Sequence, residues 1–200
     1  HYRIEDYEWS QTRLGVDVAR FGLDSTVIFP RQGLASFNYK ELRGAASHEV
    51  AARVMLAKKR WNSEIEFIDG TGGYGAGVVD SLLQAGTTPQ EINFSGKAID
   101  PRYFNKRAEM WHGVREWLDL GAMLPDDDEI QEDLCSITYK HDSTNERLQL
   151  ESKAEMKKRG IKSPDIGDAI ALTFARPAAV LGANSTQSFD PVEYFGADYD

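Results

Sequence analysis

The spacing of apolar residues changes period along the chain, and each change predicts an element. A strand-like apolar run spans Arg13 to Arg20, and a second follows at Ser25 to Pro30 after the turn Phe21-Gly22-Leu23-Asp24. Gln32-Gly33 turns the chain into a third strand, Leu34 to Leu42, which predicts an antiparallel meander. Val50, Val54, Leu56, Ala57 and Trp61 then recur at helical spacing, with Ser47 as N-cap and Glu49 close behind. A strand over Ile65 to Asp69 runs into the glycine-rich turn GTGGYGAG, and Val78, Val79, Leu82 and Leu83 give a short helix closed by Gly86. A further strand at Ile92 to Phe94 completes a βαβ unit, for which a right-handed crossover is expected.

In the second half the helical period dominates. It returns over Lys106 to Leu120, and the acidic segment after Pro125 starts another helix through Ile130 and Leu134. Ser136 to Lys140 and Arg147 to Glu151 read as the arms of a hairpin around His141 to Asn145. Ser152 caps a helix that Gly160 ends. The last helix takes Ser163 as N-cap and Pro164 as its first residue, and runs from Ile166 to Ala175. The whole predicts an α/β fold: a mixed sheet flanked by helices, with a late β-hairpin insertion. Residues 1–12 read as an arm or linker, 13–180 as one domain, and 181–200 as a flexible acidic tail.

Composition narrows this picture. The length of 200 residues suits one domain with a substantial core. The longest apolar stretch, Ala169 to Ala175, is too short to cross a bilayer, and no signal-peptide pattern opens the chain. The single cysteine excludes an internal disulfide, and Cys135 reads as a small buried apolar group in a reducing compartment. Histidines 1, 48, 112 and 141 show no ligand spacing. An N-terminal His without an initiator Met suggests a fragment or processed chain. The net charge of -9 argues against binding nucleic acid by bulk electrostatics, yet Lys153, Lys157, Lys158, Arg159 and Lys162 form a basic stripe before Asp165. Read alone, that stripe is equally a solvated helix face.

Three hydrophobic runs meet an aspartate. LGVDVAR carries Asp17, EFIDGTGG carries Asp69, and KSPDIGDAIALTFA carries Asp165 and Asp168. Asp17 and Asp69 fall at strand ends, where open α/β sheets gather their functional residues. If the fold brings the four together, they repel one another with almost no local basic compensation, and divalent cations are the natural remedy. Caps and turns are the plain alternative for Asp165 and Asp24. A carboxylate inside LGVDVA is harder to explain so, because its burial is costly without a partner. The glycine-rich turn lacks the Gly-Lys-Ser/Thr of a phosphate-binding loop, so Gly70, Gly72 and Gly73 are read as letting the backbone swing past Asp69.

GVDVARFGLDSTVI, FIDGTGGYGAGVVDSL and LESKAEMKKRGIKSPDIGDAIALTFA, in this order, resemble the C-terminal nuclease domain of large terminase subunits of tailed bacteriophages, over roughly residues 13–176. The resemblance implies a ribonuclease H-like fold and cleavage of double-stranded concatemeric DNA during genome packaging. It implies that Asp17, Asp69, Asp165 and Asp168, with Asp24 as an additional member, hold two divalent cations, Mg²⁺ or Mn²⁺. Asp17, Asp69 and Asp168 are the expected catalytic set, with Asp17 bridging, and the stripe from Lys153 to Lys162 is expected to bind DNA. The family's ATPase motor motif is absent, so the chain reads as an isolated, monomeric nuclease domain. In the full protein its partners would be that motor, the portal and the small terminase subunit, in the cytoplasm of an infected bacterium. The rival expectations are a ribonuclease H-like resolvase or transposase-type enzyme, and a non-catalytic docking module.

Overall fold

A computed structural model describes residues 7–19, 24–142 and 144–177. The expected turn at Phe21 to Leu23, the start of the N-terminal arm, His1, Ser143 of the hairpin loop and the acidic tail lie outside the described residues. A six-stranded mixed sheet forms the centre, built from β1 (Thr12–Asp17), β2 (Thr26–Gln32), β3 (Ala35–Ser36), β4 (Lys40–Leu42), β5 (Ile65–Asp69) and β6 (Gln90–Ile92). The order is β3-β2-β1-β5-β6, with β4 also on β2. β1 is antiparallel to β2 and parallel to β5, and β6 is parallel to β5.

The expected third strand is broken. β2 pairs Arg31 with Ser36 but Ile28 with Lys40, so Phe37, Asn38 and Tyr39 face only Phe29 and Pro30. The extra residue is a β-bulge, and Pro30, which has no N–H to give the ladder, sits opposite it. β6 lies two residues earlier than expected.

Side-chain alternation along β1 divides the core. Leu14 and Val16, with Ile28 and Ile68, meet α1 (Ser47–Trp61) and α2 (Tyr74–Gln84) on one face. Phe29 and Phe67 meet α3 (Lys106–Asp119), α4 (Asp128–Ser136) and α6 (Asp165–Leu172) on the other. Gly15 faces α6, where a Cβ would overlap the Ala169 carbonyl oxygen, so the bare backbone lets the helix sit directly on the strand. The same parity puts Asp17 and Asp69 on the α6 side.

Caps differ from expectation in two places. Ala46 is the N-cap of α1, so Ser47 is its first residue, and the Glu49 carboxylate accepts from the Ala46 N–H. Pro164 takes the N-cap of α6 in place of Ser163. α5 (Lys153–Lys158) begins as expected, Ser152 and Glu155 forming a capping box. α4 runs on through Ser136, which shortens the hairpin to β7 (Tyr139–His141) and β8 (Leu148–Leu150). Cys135 is exposed rather than buried, because the inward face of α4 belongs to Ile130 and Asp133. Among the described residues no helix is long and apolar enough to cross a membrane.

Candidate active site

The two parallel strands β1 and β5 end side by side. Their register pairs Val16 with Ile68, so Asp17 and Asp69 stand one step further along the same end of the sheet. Beyond Asp69 the chain must leave the sheet at once, and Gly72 and Gly73 do this with φ of 73° and 82° in a single 3₁₀ turn, Thr71–Gly73. Gly70 needs no such freedom, since its φ is -94°; its constraint is the Glu91 side chain packed against it. The Thr71 N–H donates to Asp69 Oδ1 at 2.9 Å and fixes the carboxylate. α6 delivers Asp165 in its first turn, where the Ser25 N–H donates to Asp165 Oδ2 at 2.8 Å.

Asp17, Asp69 and Asp165 line one open cleft of about 370 Å³, and exposed Asp24 joins them at its edge. Burial pushes the Asp17 carboxyl well up, and Asp168, Asp69 and Asp165 add repulsion. Asp69 is raised by burial, against the bonds from Thr71. Burial lifts Asp165 to about 6, with Asp24 and Asp168 contributing.

The cluster is not uncompensated, contrary to the sequence expectation. Lys153 Nζ stands 3.1 Å from Asp168 Oδ2, 3.4 Å from Asp17 Oδ2 and 3.8 Å from Asp165 Oδ1. Burial works against its charge, but those three carboxylates outweigh it and raise its pKa. Lys153 therefore belongs to the acidic cluster and stands apart from the remaining basic stripe.

Asp168 occupies a different position from the other three. Its side chain is fully buried, Arg107 donates from Nε at 2.8 Å to Oδ1 and from a terminal nitrogen at 3.2 Å to Oδ2, and Trp111 Nε1 donates at 2.8 Å to Oδ1. Burial opposes its ionisation, but Arg107 and Lys153 more than reverse this and hold the carboxyl below its ordinary value. Both oxygens are thus taken up by the protein itself. Sequence reasoning missed Arg107 and Trp111, whose i, i+4 spacing on α3 was the available signal. It missed Asp133 too, a buried carboxylate on α4 that accepts from the Ile166 and Gly167 N–H groups at 2.8 and 3.2 Å and so caps α6 from outside.

The rest of the stripe disperses. Arg159 pairs with Glu151 at 2.6 Å, and Lys162 lies among Glu129, Glu132 and Asp133 at 3.9 to 4.0 Å. Lys157 and Lys158 are exposed, Lys157 on a second cleft that shares Asp24, Lys153 and Asp165 with the first.

Carboxylate oxygens suit hard divalent cations, and the position of Lys153 among them shows a demand for positive charge. By donor chemistry Asp17, Asp69 and Asp165 fit such ions. As placed, no three His, Cys, Asp or Glu side chains among the described residues form a closed cage.

No protein-family model matches the sequence, and no curated protein does. Solved structures do. The nuclease domain of the large terminase subunit gp2 of bacterial virus Sf6 is 21% identical, with 84% of this chain and 89% of that one covered at a TM-score of 0.70. A mutant of that domain with manganese is 20% identical over the same shares at 0.68. The large terminase nuclease from thermophilic phage G20c with bound magnesium is 15% identical, covering 84% of this chain and 82% of that one at 0.65. The chain therefore has the ribonuclease H-like fold of large terminase nuclease domains, as its motifs led us to expect.

Proposed function

We propose that this chain is a metal-dependent endonuclease that cuts double-stranded concatemeric DNA during packaging of a phage genome. The observation that carries the proposal is the convergence of Asp17, Asp69 and Asp165 from two strand ends and a helix start on one open cleft. Sequence-distant carboxylates kept partly unsatisfied, with pKa values pushed up by burial, are the mark of a functional site rather than of packing.

In this reading Asp17, Asp69 and Asp165 would hold two divalent cations, Mg²⁺ or Mn²⁺, with Asp24 available at the rim. Such ions would supply activation of a water for attack on a phosphodiester and stabilisation of the leaving 3′ oxygen. Asp168, the expected third catalytic carboxylate, acts instead as the anchor that fixes Arg107 and Lys153 beside the ligands. Arg107 and Trp111 keep it ionised and oriented, and α6 thereby keeps its place on β1. Lys157 and Lys158 are the stripe residues best placed to meet DNA phosphates, because Arg159 and Lys162 face carboxylates of their own. Phosphate contacts position a duplex without reading it, so cutting shows little sequence preference.

Within a complete terminase the domain would work beside an ATPase motor, the portal and the small subunit, in the infected bacterial cytoplasm. Tethering by the motor would offset the weak DNA affinity expected from a net charge of -9. The test is digestion of supercoiled plasmid with Mg²⁺, Mn²⁺ or chelator, comparing the chain with Asp17→Ala. Nicking and linearisation that need metal and vanish in Asp17→Ala are expected. Undiminished cutting by Asp17→Ala overturns the assignment, and cutting confined to four-way junctions favours the resolvase reading.

A further inference from the structure

The same cleft has a second wall, on which two neutral amides stand along with Arg107 and Glu151. Where the aspartates end, the lining passes to Asn105 at the start of α3 and Gln149 on β8. Backbone pairing brings these two elements together: Leu148 N–H donates to Arg102 O at 2.8 Å, and Phe104 N–H donates to Leu148 O at 2.9 Å. Arg107 strengthens the join by donating to Glu151 O at 3.1 Å.

The direction of the Asn105 amide is fixed by its own bonding. The Ala108 N–H donates to Asn105 Oδ1 at 3.0 Å, and only the amide oxygen can accept there. The Asn105 NH₂ group therefore points away from the helix. Among the described residues neither it nor the Gln149 NH₂ has a hydrogen-bond partner.

Charge explains why amides should stand here. A cation placed in this cleft is drawn onto the carboxylates, as Lys153 is onto three of them and Arg107 onto Asp168. A neutral amide is not captured in this way, and its N–H donors stay available to an anion. A phosphate oxygen is the acceptor that such donors suit beside a site for phosphodiester cleavage.

We infer that Asn105 and Gln149 are a substrate-positioning pair whose NH₂ groups donate to nonbridging phosphate oxygens of the DNA strand lying in the cleft. The inference rests on the proposed nuclease reading and specifies how that site holds its substrate. The test is steady-state cleavage of a linear duplex with Mn²⁺, alongside thermal unfolding, for Asn105→Ser, Asn105→Asp and Gln149→Glu. Ser and Asp both retain the cap on α3, while neither presents an NH₂. KM is expected to rise about tenfold in Asn105→Ser and further in Asn105→Asp, where an acidic group meets the phosphate. Gln149→Glu should behave alike, with kcat and the unfolding midpoint close to those of the unsubstituted chain.

Unchanged KM in Asn105→Asp and Gln149→Glu, while the unsubstituted chain cuts normally, overturns the pair and leaves the nuclease reading standing. So does a lost kcat at unchanged KM, or a loss that tracks a lowered midpoint, since either marks a structural role. If the unsubstituted chain cuts no duplex with either metal, the nuclease reading fails and the pair fails with it.

Discussion

The two ends of α6 handle buried charge in opposite ways. At the N-terminal end, carboxylates crowd an open cleft, and Lys153 and Arg107 are too few to neutralise them all. At the C-terminal end, two buried arginines have no carboxylate among their bonded partners. Arg13 donates to Thr173 O at 3.0 Å and Arg176 O at 2.6 Å, while Arg31 donates to Thr173 O at 3.0 Å, Gly33 O at 2.9 Å and Thr173 Oγ1 at 2.8 Å. Burial lowers both guanidinium pKa values, Arg13 to about 10. Each sign of charge suits its end of the helix dipole. The difference lies in closure: the arginines meet fixed, mostly backbone, oxygens, apart from one unpartnered nitrogen, Arg13 Nε, whereas the aspartates face space that solutes can enter. One end closes its charge within the fold, and the other leaves its charge open to the cleft, where the proposed chemistry would use it.

Substitutions that respond differently at the two ends sharpen this contrast. The largest effect is expected from Asp69→Asn at the open end. Cleavage should fall by roughly a thousandfold or more, because in the proposed nuclease reading this carboxylate would hold a metal ion that supports several kcal/mol of transition-state stabilisation. The urea midpoint should stay level or rise, since the residue lost is a desolvated carboxylate among like charges. Plasmid cleavage and urea unfolding measured on one preparation decide it, and a fold that collapses with the activity would count against the contrast. Next comes Arg107→Met, which strips Asp168 of its bidentate partner and leaves Lys153 as the cation beside a fully buried carboxylate, with the Trp111 N–H as its neutral donor. A cost of about 4 kcal/mol in urea unfolding is expected, as for other broken buried pairs.

The open end was also the more legible of the two. Asp17 and Asp69 announce themselves because a carboxylate closing an apolar strand has few structural excuses, and the parity of β1 and of β5 puts them on the face of α6. Lys153 was hidden among five similar cations. Nothing local separates it from Lys157, and only the docking of α5 turns the residue after the Ser152 cap towards Asp17. Asp168 and Asp165 share one turn of one motif, yet Arg107 and Trp111, some 60 positions away, determine that one is enclosed while the other faces the cleft. The bulge at Phe37 to Tyr39 was unreadable for a related reason: register is a property of the pair of strands, and the third run looks continuous by itself. Arg13 passed as an ordinary strand residue and Arg31 fell just past the expected end of its strand at Pro30, although β2 runs on to Gln32 and an arginine on an inward face always requires partners.

Arg31→Leu tests the closed end. The leucine matches part of the buried volume but leaves Gly33 O without the Arg31 donor and removes the stacking of the guanidinium over Phe174, 4.0 Å from the ring centre. The expected loss is about 3 kcal/mol, from the lost charge-assisted hydrogen bonds and lost packing, although Gly33 O keeps the Trp117 N–H and Thr173 O keeps Arg13. Cleavage per folded molecule should hardly move, because the Asp17 end of β1 keeps all its contacts. A variant that unfolds no more easily but cuts poorly would reverse the roles assigned to the two ends.

The smallest effect separates charge from hydrogen bonding at the open end. Asp133 caps α6 through two backbone N–H groups, and burial raises its carboxyl from 3.8 to about 6, against those bonds and Lys162. A carboxyl whose pKa is higher in the folded chain binds its proton more tightly there. Its contribution to stability is present below pH 3.8, declines as pH rises, and is gone above about 6. Asp133→Asn keeps an oxygen to accept from Ile166 and Gly167 while removing the titration. At pH 8 the variant should match the unsubstituted chain or exceed it by ~1 kcal/mol, a figure discounted for solvent screening and for the nearby Lys162. Between pH 4 and 6 its stability should fall less steeply with rising pH. Urea unfolding over that range gives the comparison, and an unaltered slope would mean that Asp133 is ionised throughout, its two N–H bonds outweighing its burial.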